Sequence, residues 1–339
     1  MKVSSRKAVT TASLFAAGAL VVGVASGCSS ASGSAGSSSK TYTIAFVTSN
    51  TTDPFYFSMI NGAEAEAKKL GVKLTWTGPE TGGSNSTSQE VEIVDTLLAN
   101  HPNALVLDPQ NAVALEPAVK KFDSAGIPVI TVDSALQDES LVVSQITSND
   151  IQGGAQAAAT IAKLAHYKGD VAELAVPPGS SAADQRTQGF LAQMKKYPNM
   201  KVVADLDDND SPTLSETDAK NVILAHPNLV GIFGNDTYGA EGAGEAVSSL
   251  GKQGKIFVAG YDAEPPEIQL LKKGVFAALI VQKPVIEGQD AVLYAYDAIT
   301  GHKNKIPKTV VLSNVVGTSQ NASDPAISQY FYDATVGKI

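Results

Sequence analysis

The chain is poor in cysteine and in positive charge, and each shortage excludes something. One cysteine in 339 residues rules out an intrachain disulfide, so stability has to come from a buried core. Twenty-five Lys+Arg against 34 Asp+Glu give a formal charge of −9, a surface that repels nucleic acid and anionic lipid headgroups. No nucleic-acid partner is therefore expected. The longest uncharged, mostly apolar stretch, Ala8 to Gly23, is too short and too weakly flanked to read as a membrane span.

What is present begins at the single cysteine. Lys2, Arg6 and Lys7 precede that apolar stretch, and Ala25-Ser26-Gly27 then lead directly into Cys28. A basic start, a short apolar segment and a small-residue cleavage site together describe a signal peptide over residues 1–27. Cys28 is then the expected lipidation site of an exported lipoprotein, anchored to the outer face of the cell membrane. Residues 28–40, mostly Ser, Gly and Ala, read as a flexible linker. Cleavage removes Lys2, Arg6 and Lys7 and no acid, so the formal charge falls from −9 to −12. About 300 residues remain, which suggests two lobes. An exported chain has no ATP or NAD pool to draw on, so no cofactor is expected.

From Thr41 the sequence alternates between two periods. Short apolar runs recur at Thr43–Val47, Val72–Trp76, Ala104–Leu107, Pro128–Val132, Val171–Ala175, Lys201–Ala204, Val230–Phe233, Ile256–Ala259 and Phe276–Val281. Nearly continuous apolar strands suit a parallel sheet covered on both faces. Ala-rich helical stretches lie between them, at Phe55–Leu70, Glu90–Ala99, Gly154–Ala165 and Ala240–Leu250, which makes the fold α/β with right-handed crossovers. Asp53-Pro54 and Ser211-Pro212 read as N-cap followed by N1, and Gly71 as a helix stop. A helix, a His-Pro-Asn turn and a strand occur once in each half, around His101 and His226. The echo favours two similarly built lobes, and each histidine reads as a turn residue, not half of a metal pair.

Ligands of open parallel sheets bind outside the carboxyl ends of the strands. Just past the strands stand Asp53, Asp108, Asp133, Asp236, Tyr261-Asp262 and Gln282. For Asp53 and Asp108, each followed by proline, helix capping is the competing role. An ionised carboxylate only accepts hydrogen bonds, so a ring of them pairs with the hydroxyl donors of a polyhydroxyl compound. Phe55, Tyr56 and Tyr261 offer rings for the apolar C–H faces of a sugar. Arg186, read as opening a helix after the strand at Val171, supplies the cation that several carboxylates need.

At these residues the chain resembles the bacterial monosaccharide-binding proteins of the ribose- and galactose-binding type, which feed membrane ABC importers. The resemblance runs from about Tyr42 to Val316. It is carried by Asp53-Pro54-Phe55-Tyr56, Ile127–Asp133, Thr147–Gly154, Arg186–Phe190, Phe233–Asp236, Gly260-Tyr261-Asp262 and Leu279–Pro284. It implies two Rossmann-like lobes with parallel central sheets, joined by a three-strand hinge, with the ligand cleft between them. It divides the chain into 41–148 plus 283–311 and 149–282 plus 312–339, with hinge crossings near Ser148-Asn149, Gln282-Lys283 and Val310–Ser313. It assigns ring packing to Phe55 and Tyr56. It assigns hydroxyl contacts to Asp53, Asp108, Asp133, Arg186, Asp236, Asp262 and Gln282, with Tyr261 beside them. Asp210 falls where the family commonly has an aromatic residue. Ser134 stands where the ribose-type pattern has Arg, and Asp53, Asp108 and Asp236 stand where it often has Asn. The pocket is thus more acidic than a ribose site, and another pentose, a deoxy or amino sugar, or an acyclic polyol fits at least as well.

Three other readings have weaker support. Gly239–Gly244 lacks the G-x-G-x-x-G spacing of a nicotinamide site. A glycosidase would need a paired acid and base at a set separation, which no sequence fixes. Asp205, Asp207, Asn209 and Glu216 match positions of an EF-type calcium loop, but Asp210 replaces its glycine. The sequence therefore predicts a non-enzymatic, metal-free and monomeric binding protein. It would deliver a monosaccharide or polyol to an ABC importer, or alternatively present it to a membrane signalling receptor.

Overall fold

In the computed structural model the described residues are 41–83 and 86–337. The signal peptide, the linker and Cys28 lie outside them. No helix among the described residues is long and apolar enough to cross a membrane.

The first lobe runs β1 (Thr43–Val47), α1 (Pro54–Leu70), β2 (Lys73–Thr77), α2 (Ser86–Ala99), β3 (Ala104–Leu107), α3 (Glu116–Ser124), β4 (Val129–Val132) and β5 (Ser144–Ser148). The second runs α4 (Asp150–Leu164), β6 (Gly169–Ala175), α5 (Ser181–Met194), β7 (Met200–Asp207), α6 (Pro212–Ala225) and β8 (Leu229–Gly234). It continues through α7 (Thr237–Ser249), β9 (Phe257–Tyr261), α8 (Pro265–Lys272) and β10 (Phe276–Val281). The chain then returns to the first lobe with α9 (Pro284–Ile299) and β11 (Thr309–Leu312). It ends on the second with β12 (Val315–Gly317) and α10 (Pro325–Ser328). The strand orders are β11-β5-β4-β3-β1-β2 and β12-β10-β9-β8-β6-β7. Every pairing is parallel except β10 with β12. In both sheets the order reverses beside the first strand, between β1 and β3 and between β6 and β8. Such reversals open a crevice at the carboxyl ends.

The apolar strands form for the reason their composition suggests. β1, β3 and β4 are buried on both faces, with Ile44, Phe46, Leu105, Val106 and Ile130 fully enclosed. Helix ends are set by local chemistry. Asp53 accepts from the Phe55 amide at 2.7 Å and Pro54 occupies the first turn, while Gly71, at φ 69°, closes α1 in the left-handed conformation. His101 and His226 each lie between a helix and the strand that follows it, where His101 is exposed.

The chain passes between sheets at Asn149, at Gln282–Lys283 and at Ser313–Asn314. The helix that follows each of the first two crossings packs against the helix that carries cleft residues. In both cases glycines allow the backbones to meet. A Cβ on Gly288 of α9 would stand 2.0 Å from the Met59 carbonyl of α1, and one on Gly62 of α1 would stand 2.2 Å from Val285 O. The second lobe repeats the device, with Gly154 of α4 against Arg186 O and Gly189 of α5 against Ile151 O. The last residues do not keep to one lobe. Asn61 of α1 donates to Asp333 at 3.0 Å and accepts from the Gly337 amide at 2.8 Å, so the tail that follows the second sheet buckles onto the first lobe.

Candidate functional site

The carboxyl ends of both sheets face one cavity, as expected of ligand sites in sheets of this kind. Its wall from the first lobe includes Ser49, Asp53, Phe55, Tyr56, Asp133 and Ser134. The second lobe contributes Ala183, Arg186, Asp210, Asp236, Thr237 and Asp262, with Gln282 at a crossing. The lobes touch around it: Ser181 Oγ accepts from the Ala135 amide at 2.6 Å, and the Gly83 amide donates to Asp210.

Asp133 and Asp262 occupy matching places, each one residue past a buried strand, and both have positive φ, 55° and 81°. This conformation costs most residues free energy, is better tolerated by Asp, and concentrates at functional sites. It turns both carboxylates toward the guanidinium of Arg186, at 3.8 Å for Asp133 and 3.9 Å for Asp262. Arg186 is 5 % exposed. Its Nε donates to Asp150 at 2.9 Å, Nη1 donates to the Asn235 carbonyl at 3.1 Å, and its plane lies 3.9 Å from the centre of the Tyr261 ring. The expectation that Arg186 opens a helix is corrected here. Ser180 caps α5, and Arg186 lies in its second turn, aimed back under the cleft.

The other expected residues divide between wall and support. Phe55 and Tyr56 are nearly buried and line the cavity, with ring centres 5.1 Å apart. Asp53 lines it while also capping α1, and Asp236 lines it while capping α7 through the Gly239 amide at 2.8 Å. Gln282 lines it and donates to Asp262 Oδ1 at 2.7 Å. Asp108 and Tyr261 stand behind the wall. Asp108, 1 % exposed, accepts from Ser49 at 2.8 Å and Tyr56 at 2.7 Å, fixing the tyrosine ring. Tyr261 is fully buried beneath Arg186 and donates to Asp150 at 3.0 Å. It offers no face to a ligand.

Sequence reasoning missed Tyr332, whose hydroxyl donates to Asp262 Oδ1 at 2.8 Å and whose ring meets Phe55 at 5.5 Å. It follows no strand, so nothing in its neighbourhood marks it. Asp150 and Asn235, which hold the arginine, lie within the segments Thr147–Gly154 and Phe233–Asp236 that carry the resemblance. The residues of the EF-type spacing do not lie on one loop. Asp205 and Asp207 belong to β7, while Glu216 lies on α6 beside Lys220. The carboxylates that do converge are Asp208, Asp210 and Asp236.

Burial dominates the electrostatics. It pushes the Asp133 carboxyl well up, Asp108 adds repulsion, and the Arg186 charge pulls in the opposite direction. It raises Asp53 to about 6 even though Glu264, across the cleft, shares a hydrogen bond with it. Asp210 is pushed up to about 7 by burial and by Asp236. The cavity can therefore accept many hydrogen bonds around one fixed cation and one aromatic wall.

Residues 44–303 match the periplasmic binding protein domain family. The chain belongs to that family. The ribose import binding protein of Bacillus subtilis is 32 % identical to this periplasmic binding protein over 273 residues, 80 % of this chain and 85 % of the relative. The D-apiose import binding protein of Actinobacillus succinogenes is 29 % identical, covering 79 % and 86 %. Among solved structures, an ABC transporter solute-binding protein from Agrobacterium vitis bound with α-D-tagatopyranose superposes with a TM-score of 0.82 at 30 % identity. That match covers 86 % of this chain and 99 % of the other. A carbohydrate transporter solute-binding protein from Agrobacterium radiobacter in complex with D-arabinose gives the same TM-score and identity, over 87 % and 100 %. Membership places this periplasmic binding protein outside the cytoplasm, among transport proteins and not enzymes.

Proposed function

We propose that this periplasmic binding protein captures a monosaccharide or polyol in the interlobe cavity and delivers it to an ABC importer. The observation that carries the reading is the pair Asp133 and Asp262, one from each lobe, set on either side of Arg186 and facing the Phe55–Tyr56 wall. A sugar's hydroxyls pair with both carboxylates at once, so the ligand favours the closed arrangement of the lobes. The relatives' names and the sugars in the neighbouring structures support that class of ligand. One cleft is completed by one chain, which supports a monomer. The division into 41–148 plus 283–311 and 149–282 plus 312–339 is the working domain scheme, with Leu312 moved to the first lobe by its place in β11 and the tail from 333 bridging back to α1.

A melting-temperature screen over aldopentoses, ketohexoses, deoxyhexoses, amino sugars and pentitols tests this directly. A ligand at a hundredfold excess over Kd adds about 2.7 kcal/mol of stability and raises the midpoint. If no carbohydrate in that set moves the midpoint, the reading fails.

We further propose that Cys28 carries the lipid that keeps the module beside its importer. The Cys28→Ser chain is expected to leave the membrane fraction and appear as a soluble protein. Continued sedimentation with membranes would refute the anchor.

A further inference from the structure

The acid in the cavity is unevenly balanced. Arg186 accounts for Asp133, Asp150 and Asp262 at one end. The other end is walled by Asp53 from the first lobe and by Asp210 and Asp236 from the second. Asp208 stands behind them, with one carboxylate oxygen from each of Asp208, Asp210 and Asp236 lying within 4.8 Å of the others. Among the described residues, no lysine and no arginine besides Arg186 lines the cavity.

One buried group that lines this end has no hydrogen-bond partner. Thr237 lines the cavity, is 3 % exposed, and leaves its hydroxyl unpaired. Asp208, fully buried behind the wall, accepts from the Asp210 amide at 3.0 Å and shares a hydrogen bond with Asp236. Buried polar atoms are ordinarily satisfied, so an unpaired hydroxyl beside a cavity calls for a partner that a ligand would bring.

Resting on the carbohydrate reading above, we propose that the ligand is cationic, an amino sugar or amino polyol whose ammonium sits between Asp53, Asp210 and Asp236. An ammonium carries three donors and no acceptor, which suits a wall made of acceptors. Arg186 sets the orientation, because it repels the ammonium from its own end and leaves the hydroxyls to Asp133 and Asp262. A neutral sugar brings donors without charge, and closing over it leaves the surplus carboxylates to repel one another or take up protons. Burial raises Asp53 to about 6 and Asp210 to about 7 and pushes Asp236 well up, and an ammonium among the three draws them back toward the ionised form.

Calorimetric titration near neutral pH, with EDTA present, tests the inference on matched compounds. The pairs are D-glucosamine with D-glucose, D-galactosamine with D-galactose, and D-glucamine with D-glucitol, each run beside its N-acetyl derivative. In at least one pair the amine is expected to bind about tenfold to a hundredfold tighter than its neutral partner, the scale of a charge-assisted hydrogen bond. The N-acetyl form should lose that gain. In Asp210→Asn the ratio of amine to neutral affinity should fall toward one, and a ratio is insensitive to a general loss of binding. Neutral partners that bind as well as the amines overturn the charge assignment and leave the carbohydrate reading standing. If no compound binds here or in the wider screen, both fall. A midpoint raised by calcium chloride alone, without EDTA or sugar, assigns the carboxylates to an inorganic cation and overturns the proposal.

Discussion

Replacing Arg186 with methionine is expected to remove ligand binding and to lower stability by about 3–5 kcal/mol at neutral pH, the usual cost of stripping one partner from a buried ion cluster. The guanidinium is more than a ligand contact. It bonds Asp150 at 2.9 Å, faces Asp133 and Asp262, and covers the Tyr261 ring. Without it these carboxylates are buried with no opposing charge. Burial already raises Asp150 above its ordinary value while Arg186 holds it down, so the substitution moves it further up. A carboxyl raised on folding binds more protons folded than unfolded, so its contribution is retained at low pH and lost as pH rises through the folded value. The stability deficit of the variant should therefore be smaller near pH 5 than near pH 7.5, a window of about two to three units. Urea unfolding at both pH values measures it. A deficit that does not change across the window would mean that the carboxylates are compensated elsewhere.

The second large effect concerns a residue that touches no ligand. Gly154→Ala would put a Cβ 1.9 Å from the carbonyl oxygen of Arg186 and 2.9 Å from the Phe190 amide, both backbone atoms of α5. No side-chain rotation relieves that contact, so α4 and α5 must separate. The cost should reach the upper end of roughly 1–3 kcal/mol, or exceed it. Because the displaced backbone carries Arg186, carbohydrate affinity should fall together with the unfolding midpoint. Unfolding in guanidinium and titration of the same preparation would show both. A variant with a normal midpoint would mean that the helices have slack the structure does not show.

Legibility in the sequence followed how much of an element's role is written in its own residues. β1, β3 and β10 were read with their observed bounds because Thr43–Val47, Ala104–Leu107 and Phe276–Val281 are apolar throughout. β5 was missed because Ser-Gln-Ile-Thr-Ser is polar and owes its strand state to neighbours on both sides. β7 extends past the apolar run Lys201–Ala204 because its later residues alternate toward solvent, a pattern that a search for continuous apolar runs does not register. α5 was placed late because Gly179-Ser180-Ser181 reads as loop while Ser180 is in fact its cap. In the site, strand ends gave the correct level for every carboxylate but not the direction of each side chain. Asp133 and Asp262 turn into the cavity through a backbone conformation the sequence does not display. Asp108 and Tyr261, at the same level, turn away and hold up Tyr56 and Arg186 instead. Tyr332 depends wholly on where the tail returns, which is set by tertiary packing.

That return bears on the cleft wall. One oxygen, Asp262 Oδ1, is held by Gln282 at a crossing and by Tyr332 of the tail, while the other end of the tail is fastened to α1. A single acceptor oxygen of the cleft wall is thus shared by one crossing and by a tail whose next residue, Asp333, is bonded to Ser58 and Asn61 of the first lobe, so the wall and two of the connections have one atom in common.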